Sequence, residues 1–109
     1  MRSMITRVWH GWTAPENAAT YERLLREEWF HTLAARSSEG YLGISLLKRE
    51  LSGEVEFMTI MWFKDLDAVR AMAGNDYERA MIAPEAMRLF TRYDEHAQHY
   101  HTPLPPNLL

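Results

Sequence analysis

Residues 94 to 101, Asp-Glu-His-Ala-Gln-His-Tyr-His, put three histidines and two carboxylates into eight positions. Such residues can ligate a metal or move protons. On a strand, side chains alternate, so His99 and His101 share one face and His96 shares the other with Asp94 and Gln98. The three imidazoles cannot converge on one ion unaided; a metal site would need a ligand from another strand, for which His10 is the candidate. Polar side chains near a sheet edge also discourage unwanted pairing, and this plainer reading outweighs a dedicated metal site. No metal is therefore expected. His10 itself lies in an otherwise apolar stretch, and an imidazole, with a reference pKa of about 6.5, is suited to accept a proton near neutrality. A buried neutral imidazole bonded to a neighbouring strand is the competing reading. Glu28, seven residues after Tyr21, falls on the stripe of Leu24 and Leu25 if the helix is regular. A carboxylate placed there needs a partner, as half of a structural pair or as the base of a cleft.

The rest of the composition limits what such groups could belong to. At 109 residues the chain is one domain, 1–109, large enough for a real core. A hydrophobic share of 47% beside 25% charged residues is ordinary for a globular protein, and a net charge of −3 gives no electrostatic reason to expect nucleic acid. The absence of cysteine excludes disulfides, thiolate zinc sites, iron–sulfur ligation and cysteine nucleophiles. No apolar run suits a membrane span, and the first twelve residues lack the pattern of a signal peptide, so a cytoplasmic location is the expectation. No glycine-rich phosphate loop or Gly-x-Ser-x-Gly elbow occurs.

The elements that must position these groups follow from periodicity. Residues 4 to 12 are aromatic and β-branched on both alternating sets and read as a strand covered on both faces. Thr13, Pro15 and Glu16 predict a capping box at a helix start, and Tyr21, Leu24, Leu25, Trp29 and Leu33 then form an apolar stripe. After the turn-forming residues 37–40, strands are predicted at 41–51 and 54–63, joined as a hairpin by Ser52 and Gly53. Asp65 caps a second helix that residues 74–76 interrupt and residues 77–81 resume before Pro84; residues 91–101 form the last strand. The core is thus 4–101, and the proline-rich tail 102–109 is extended, free or laid on a neighbour.

The order β-α-β-β-α-β predicts an α+β, ferredoxin-like fold with a four-stranded antiparallel sheet. Two crossover helices cover one sheet face only, yet the third strand is apolar on both: Met58, Ile60 and Trp62 on one, Val55, Phe57, Met61 and Phe63 on the other. An identical sheet is the simplest cover for the second face, which predicts a homodimer.

The stretches Ile5–Leu25, Val55–Ile82 and Arg92–Tyr100 resemble the antibiotic biosynthesis monooxygenase family of the dimeric α/β barrel superfamily. The resemblance rests on element order and strand texture over residues 4–101. It implies a ligand cleft between the sheet and helices of each subunit, and enzymes that oxidise polycyclic quinols or anthrones with dioxygen and no metal or flavin. Haem-degrading relatives use an asparagine, a tryptophan and a histidine where this chain has Val8, Met72 and Ile82, so the resemblance does not imply haem, and no cofactor is expected. Trp62 falls in the region matching the quinol-oxidising members. By the resemblance Val8 faces the cleft, and His10 shares its parity. The expected site therefore has His10 as base, helped by Glu28 or His99, and a wall for an apolar or aromatic ligand from Val8, Trp12, Trp29, Trp62 and Met72. The alternative is a non-catalytic small-molecule-binding or accessory dimer that uses the same cleft.

Overall fold

The computed structural model of the chain describes residues 4–37 and 39–107. Ser38 of the predicted turn and the last two residues of the tail lie outside the described residues. Strand β1 (Ile5–Thr13) pairs antiparallel with β3 (Glu54–Phe63) over its whole length, and β3 pairs with β2 (Tyr41–Leu51) as the predicted hairpin. Gly53 sits at φ 80°, the left-handed geometry that this tight connection requires and that glycine adopts without a Cβ clash. The other edge of β1 carries β4 (Phe90–Tyr93) and β5 (Gln98–His101), giving the order β2-β3-β1-β4 with β5 also on β1. This is the mixed α+β, ferredoxin-like arrangement with an antiparallel sheet, its helices on one face.

The single last strand expected at 91–101 is two short strands. Asp94 still donates its backbone N–H to the carbonyl of His10 at 3.0 Å, but residues 94–97 turn aside to meet another segment. Ala80 N–H bonds to Glu95 C=O at 2.9 Å, and Ala97 N–H to Glu78 C=O at 2.7 Å, with Arg79 bridged to His96. These same bonds explain why the second helix does not resume at 77–81. Backbone groups of residues 78–80 bond across to residues 95–97, and Pro84 disfavours helical geometry just before it. The helix α3 (Leu66–Ala73) starts at the predicted cap, where Asp65 accepts from Ala68 N–H at 2.9 Å, and ends at Gly74 with φ 85°. A short 3-10 helix, Pro84–Leu89, then leads into β4.

The first helical stretch enters through a 3-10 turn (Pro15–Asn17) and comprises α1 (Ala18–Leu24), a π-helical turn (Leu25–Trp29) and α2 (Phe30–Arg36). Two expectations fail here for local reasons. Thr13 is not the cap: the sheet ladder extends through it, to Val55 and Phe90, and its buried hydroxyl has no partner among the described residues. Glu28 is not on the buried stripe. The wider π turn advances the inward face to Trp29, so the packed set is Tyr21, Leu25, Trp29 and Leu33, and Glu28 is exposed.

Alternation along β1 sorts the sheet faces. Ile5, Trp9 and Thr13 are buried beneath the helices with Val55, Phe57, Met61 and Phe63 of β3. Two apolar clusters result, one around Phe63, Val69 and Met72 and one around Tyr21, Phe57 and Leu89; Trp29 and Phe30 pack against both. The even set, Thr6, Val8, His10 and Trp12, lies on the opposite face with Glu56, Met58, Ile60 and Trp62, half-buried within the protomer apart from the buried Glu56. No helix among the described residues is long and apolar enough to cross a membrane.

Candidate ligand cleft

Between the two apolar clusters the helices and sheet leave a narrow cleft of about 40 Å³. Its walls are largely apolar, with the aromatic Trp9, Tyr21, Trp29 and Phe30 and the thioethers Met61, Met72 and Met81 beside aliphatic side chains such as Leu25, Leu33 and Ile44, and with Thr59. Each wall has a clear local origin. Trp9 is fixed by its indole N–H, which donates to Asp94 C=O at 2.6 Å, and by edge contact with Phe90 at 5.7 Å. Trp29, at the end of the π turn on the predicted stripe, donates its indole N–H to Met81 C=O at 3.3 Å, tying the helix to the irregular segment over the cleft. Tyr21 packs edge-on between Phe57 and Phe90, at 4.8 and 4.9 Å, and burial raises its phenol pKa, so it stays protonated. The free space holds one or two waters rather than a ring system, so entry of a larger ligand requires the flexible methionines to move.

One charged group lines this apolar cleft. Arg7 is 5% exposed, and its Nη1 donates to the carbonyl of Tyr77 and, at 3.0 Å, to Nε2 of His99. Nη2 donates to Arg79 C=O at 3.3 Å. An arginine only donates, so the geometry fixes His99 as an Nε2 acceptor with its proton on Nδ1. Burial, then the neighbouring Arg7 charge, lower the His99 pKa to about 4; burial alone lowers that of Arg7 to about 10, so the guanidinium remains charged at neutral pH.

The predicted site residues thus divide between two faces. Trp29 and Met72 line the cleft. His99 faces the same side, opposite Arg7 in the β1–β5 register, but its lone pair is engaged by the guanidinium and its low pKa makes it a weak base. Val8, His10, Trp12 and Trp62 lie on the other face of the sheet, because β1 is in the register that turns its odd residues toward the helices. Placing Val8 and His10 in the cleft is therefore a one-residue parity error. There His10 Nδ1 lies 3.2 Å from Oδ2 of Asp94, its Nε2 is 3.9 Å from Glu56, and its ring stacks on Trp12 at 5.9 Å. The residue that sequence reasoning missed is Arg7. A lone arginine in an apolar strand is the one local signal; the register of β1, which the pattern does not reveal, turns it inward with Trp9.

His96 stands apart, exposed at its bridge to Arg79, and His101 is exposed opposite Ile5. Among the described residues no group of three or more histidines and carboxylates is arranged to hold a metal ion.

A helix-covered antiparallel sheet in this strand order defines the structural class: the fold matches that of the antibiotic biosynthesis monooxygenase structural family. The particular structures it resembles include a candidate antibiotic biosynthesis monooxygenase from Bacillus cereus, at TM-score 0.59 and 13% identity over 95% of this chain and 97% of that one. SnoaB, a cofactor-independent oxygenase from Streptomyces nogalater, aligns at TM-score 0.55 with 23% identity over 97% of both chains. A conserved protein from Methanosarcina mazei Go1 aligns at TM-score 0.63 with 19% identity over 91% of this chain and 92% of that one. At these identities the likeness is one of fold. No family model and no curated protein matches the sequence.

Proposed function

We propose that this protein is a cofactor-independent monooxygenase that oxidises an electron-rich polycyclic aromatic, of the quinol or anthrone type, with dioxygen in the cleft between helices and sheet. The observation that carries the reading is the cleft's composition. Flat aromatic and polarizable thioether surfaces suit the faces of a fused ring system once the methionines move aside to admit it, and they occur in the fold shared with a cofactor-independent oxygenase. For an anthrone the chemistry balances without a bound redox group. Loss of a proton to water gives a carbanion, which passes one electron to dioxygen; the radical and superoxide combine into a peroxide, which takes up a proton. Elimination of water across the C–H and O–O bonds leaves a carbonyl. The product has gained one oxygen and lost two hydrogens. The protein's part is to hold the ring, stabilise the anion and keep bulk water from the radical pair.

The reading includes a homodimer. The open sheet face carries Val8, Met58, Ile60 and Trp62 across its centre, with Leu47 exposed beside them, and a second copy of the same face would close the barrel. A second reading, a non-catalytic dimer that binds the same ligand class, is favoured by one observation: no histidine or carboxylate is among the described residues lining the cleft.

Oxygen uptake by metal-free, flavin-free protein offered a panel of anthrones and hydroquinones separates the two. Uptake above the uncatalysed rate, with one labelled oxygen atom from dioxygen in the product, is expected. Tight binding across the panel with no turnover would establish the binding protein instead.

A further inference from the structure

We infer that the cleft takes its ligand as an oxyanion, a phenolate, enolate or carboxylate on an aromatic frame, and that Arg7 is its receptor. This rests on the cleft being the ligand site of the proposed function, and it names what that site selects. Three observations converge. First, Arg7 is a buried cation lining a cavity with no other charged side chain, and none of the ion pairs among the described residues includes it. A buried charge with no counter-charge is costly, and an incoming anion is what would offset it. Second, the guanidinium is held in place by neutral acceptors, the Tyr77 and Arg79 carbonyls and His99 Nε2. These bonds orient it without neutralising it, and they leave Nε–H and one Nη2–H without an acceptor among the described residues. Third, the other titratable groups around it cannot compete for the role. His99 is a neutral acceptor, Tyr21 keeps its proton, and Tyr77 meets His99 edge-on at 5.1 Å.

The consequence bears on the missing base. A fixed positive charge in a low-dielectric cleft favours the ionised form of a bound phenol or enol, so the ligand's own pKa falls and its proton leaves to water. Charge-assisted bonds from arginine to an oxyanion are short and strong, which makes Arg7 a selector as well as a stabiliser.

The test uses full-length protein and two pairs of readings. A hydroxyanthraquinone, whose visible spectrum reports its ionisation, is titrated with pH in the free and bound states. The expected result is an apparent pKa lowered by about one unit or more on binding, retained in Arg7→Lys and lost in Arg7→Met. On the wild-type protein alone, anthraquinone carboxylate should bind about tenfold or more tighter than its neutral carboxamide, read by tryptophan quenching and calorimetry. This second arm decides the matter even if Arg7→Met does not fold. If both anthraquinones bind equally, or the dye binds with an unshifted pKa, the oxyanion inference is overturned while the cleft remains a ligand site. If neither anthraquinone nor the dye binds, the cleft reading itself fails and takes the inference with it.

Discussion

Arg7 and His99 face each other across the β1–β5 ladder with Nη1 and Nε2 3.0 Å apart, a cation donating to an imidazole that must stay neutral to receive it. The pairing links the edge strand to the segment over the cleft, because the same guanidinium also holds the Tyr77 and Arg79 carbonyls.

That pairing makes stability pH-dependent with a definite sign. The His99 pKa is lowered on folding to about 4 from an ordinary value of 6.5. Between those values the unfolded chain binds the proton and the folded chain does not, so stability is complete above the upper one and falls as pH drops toward the lower. His99 is half-exposed, and solvent screening brings the loss to about 1 kcal/mol rather than the full linkage value. Urea unfolding from neutral to mildly acidic pH should show this decline, and His99→Gln, which keeps an acceptor for Arg7, should flatten it. An unchanged slope in the variant would remove His99 as its source.

Gly11 is required by close approach rather than by backbone conformation. A Cβ there would meet Trp9 Cη2 at 2.6 Å and Phe90 Cε1 at 2.7 Å. The Trp9 indole is anchored through its N–H to Asp94, so the ring cannot simply retreat. Gly11→Ala should cost about 1–3 kcal/mol by overpacking, measured by chemical denaturation, and should weaken binding of any aromatic ligand through the displaced cleft wall.

Leu47 is 44% exposed on the open sheet face, opposite Met58 in the β2–β3 register. Light scattering at micromolar concentration should give twice the chain mass for the wild type and the single-chain mass for Leu47→Asp. Because Leu47 is little buried within a protomer, the substitution should leave the protomer folded by circular dichroism. A wild-type monomer would leave the apolar row of Val8, Ile60 and Trp62 without its proposed cover.

His10 belongs to that open face, between Asp94 and Glu56. His10→Ala should therefore weaken the dimer, since two carboxylates lose the imidazole between them, while anthrone-dependent oxygen uptake per folded subunit stays within about twofold. Loss of uptake in a variant that remains dimeric would return the base to the open face.

Much of the architecture was legible in the residues. The hairpin at 41–51 and 54–63, the Asp65 cap and the apolar stripe from Tyr21 to Leu33 follow from local periodicity and turn chemistry, and all are present. The candidate site was less so. Trp29 and Met72 could be placed because burial on a helix repeats with the chain's own period. His10 could not, because β1 is apolar on both parities and local pattern does not say which face meets the helices.

What the sequence by itself determined is the element order, the chemistry available and the double-sided apolarity of the central strands, since each depends on residues close together in the chain. The tertiary structure alone decided the register of β1 against β3 and β5, the π turn that moves Glu28 outward, and the split of the last strand around residues 94–97. Those outcomes depend on hydrogen bonds and packing between segments far apart in the chain, such as Arg7 with His99, separated by 92 positions. A single shift of parity in that long-range pairing exchanges one sheet face for the other, and with it an expected histidine for a buried arginine at the cleft.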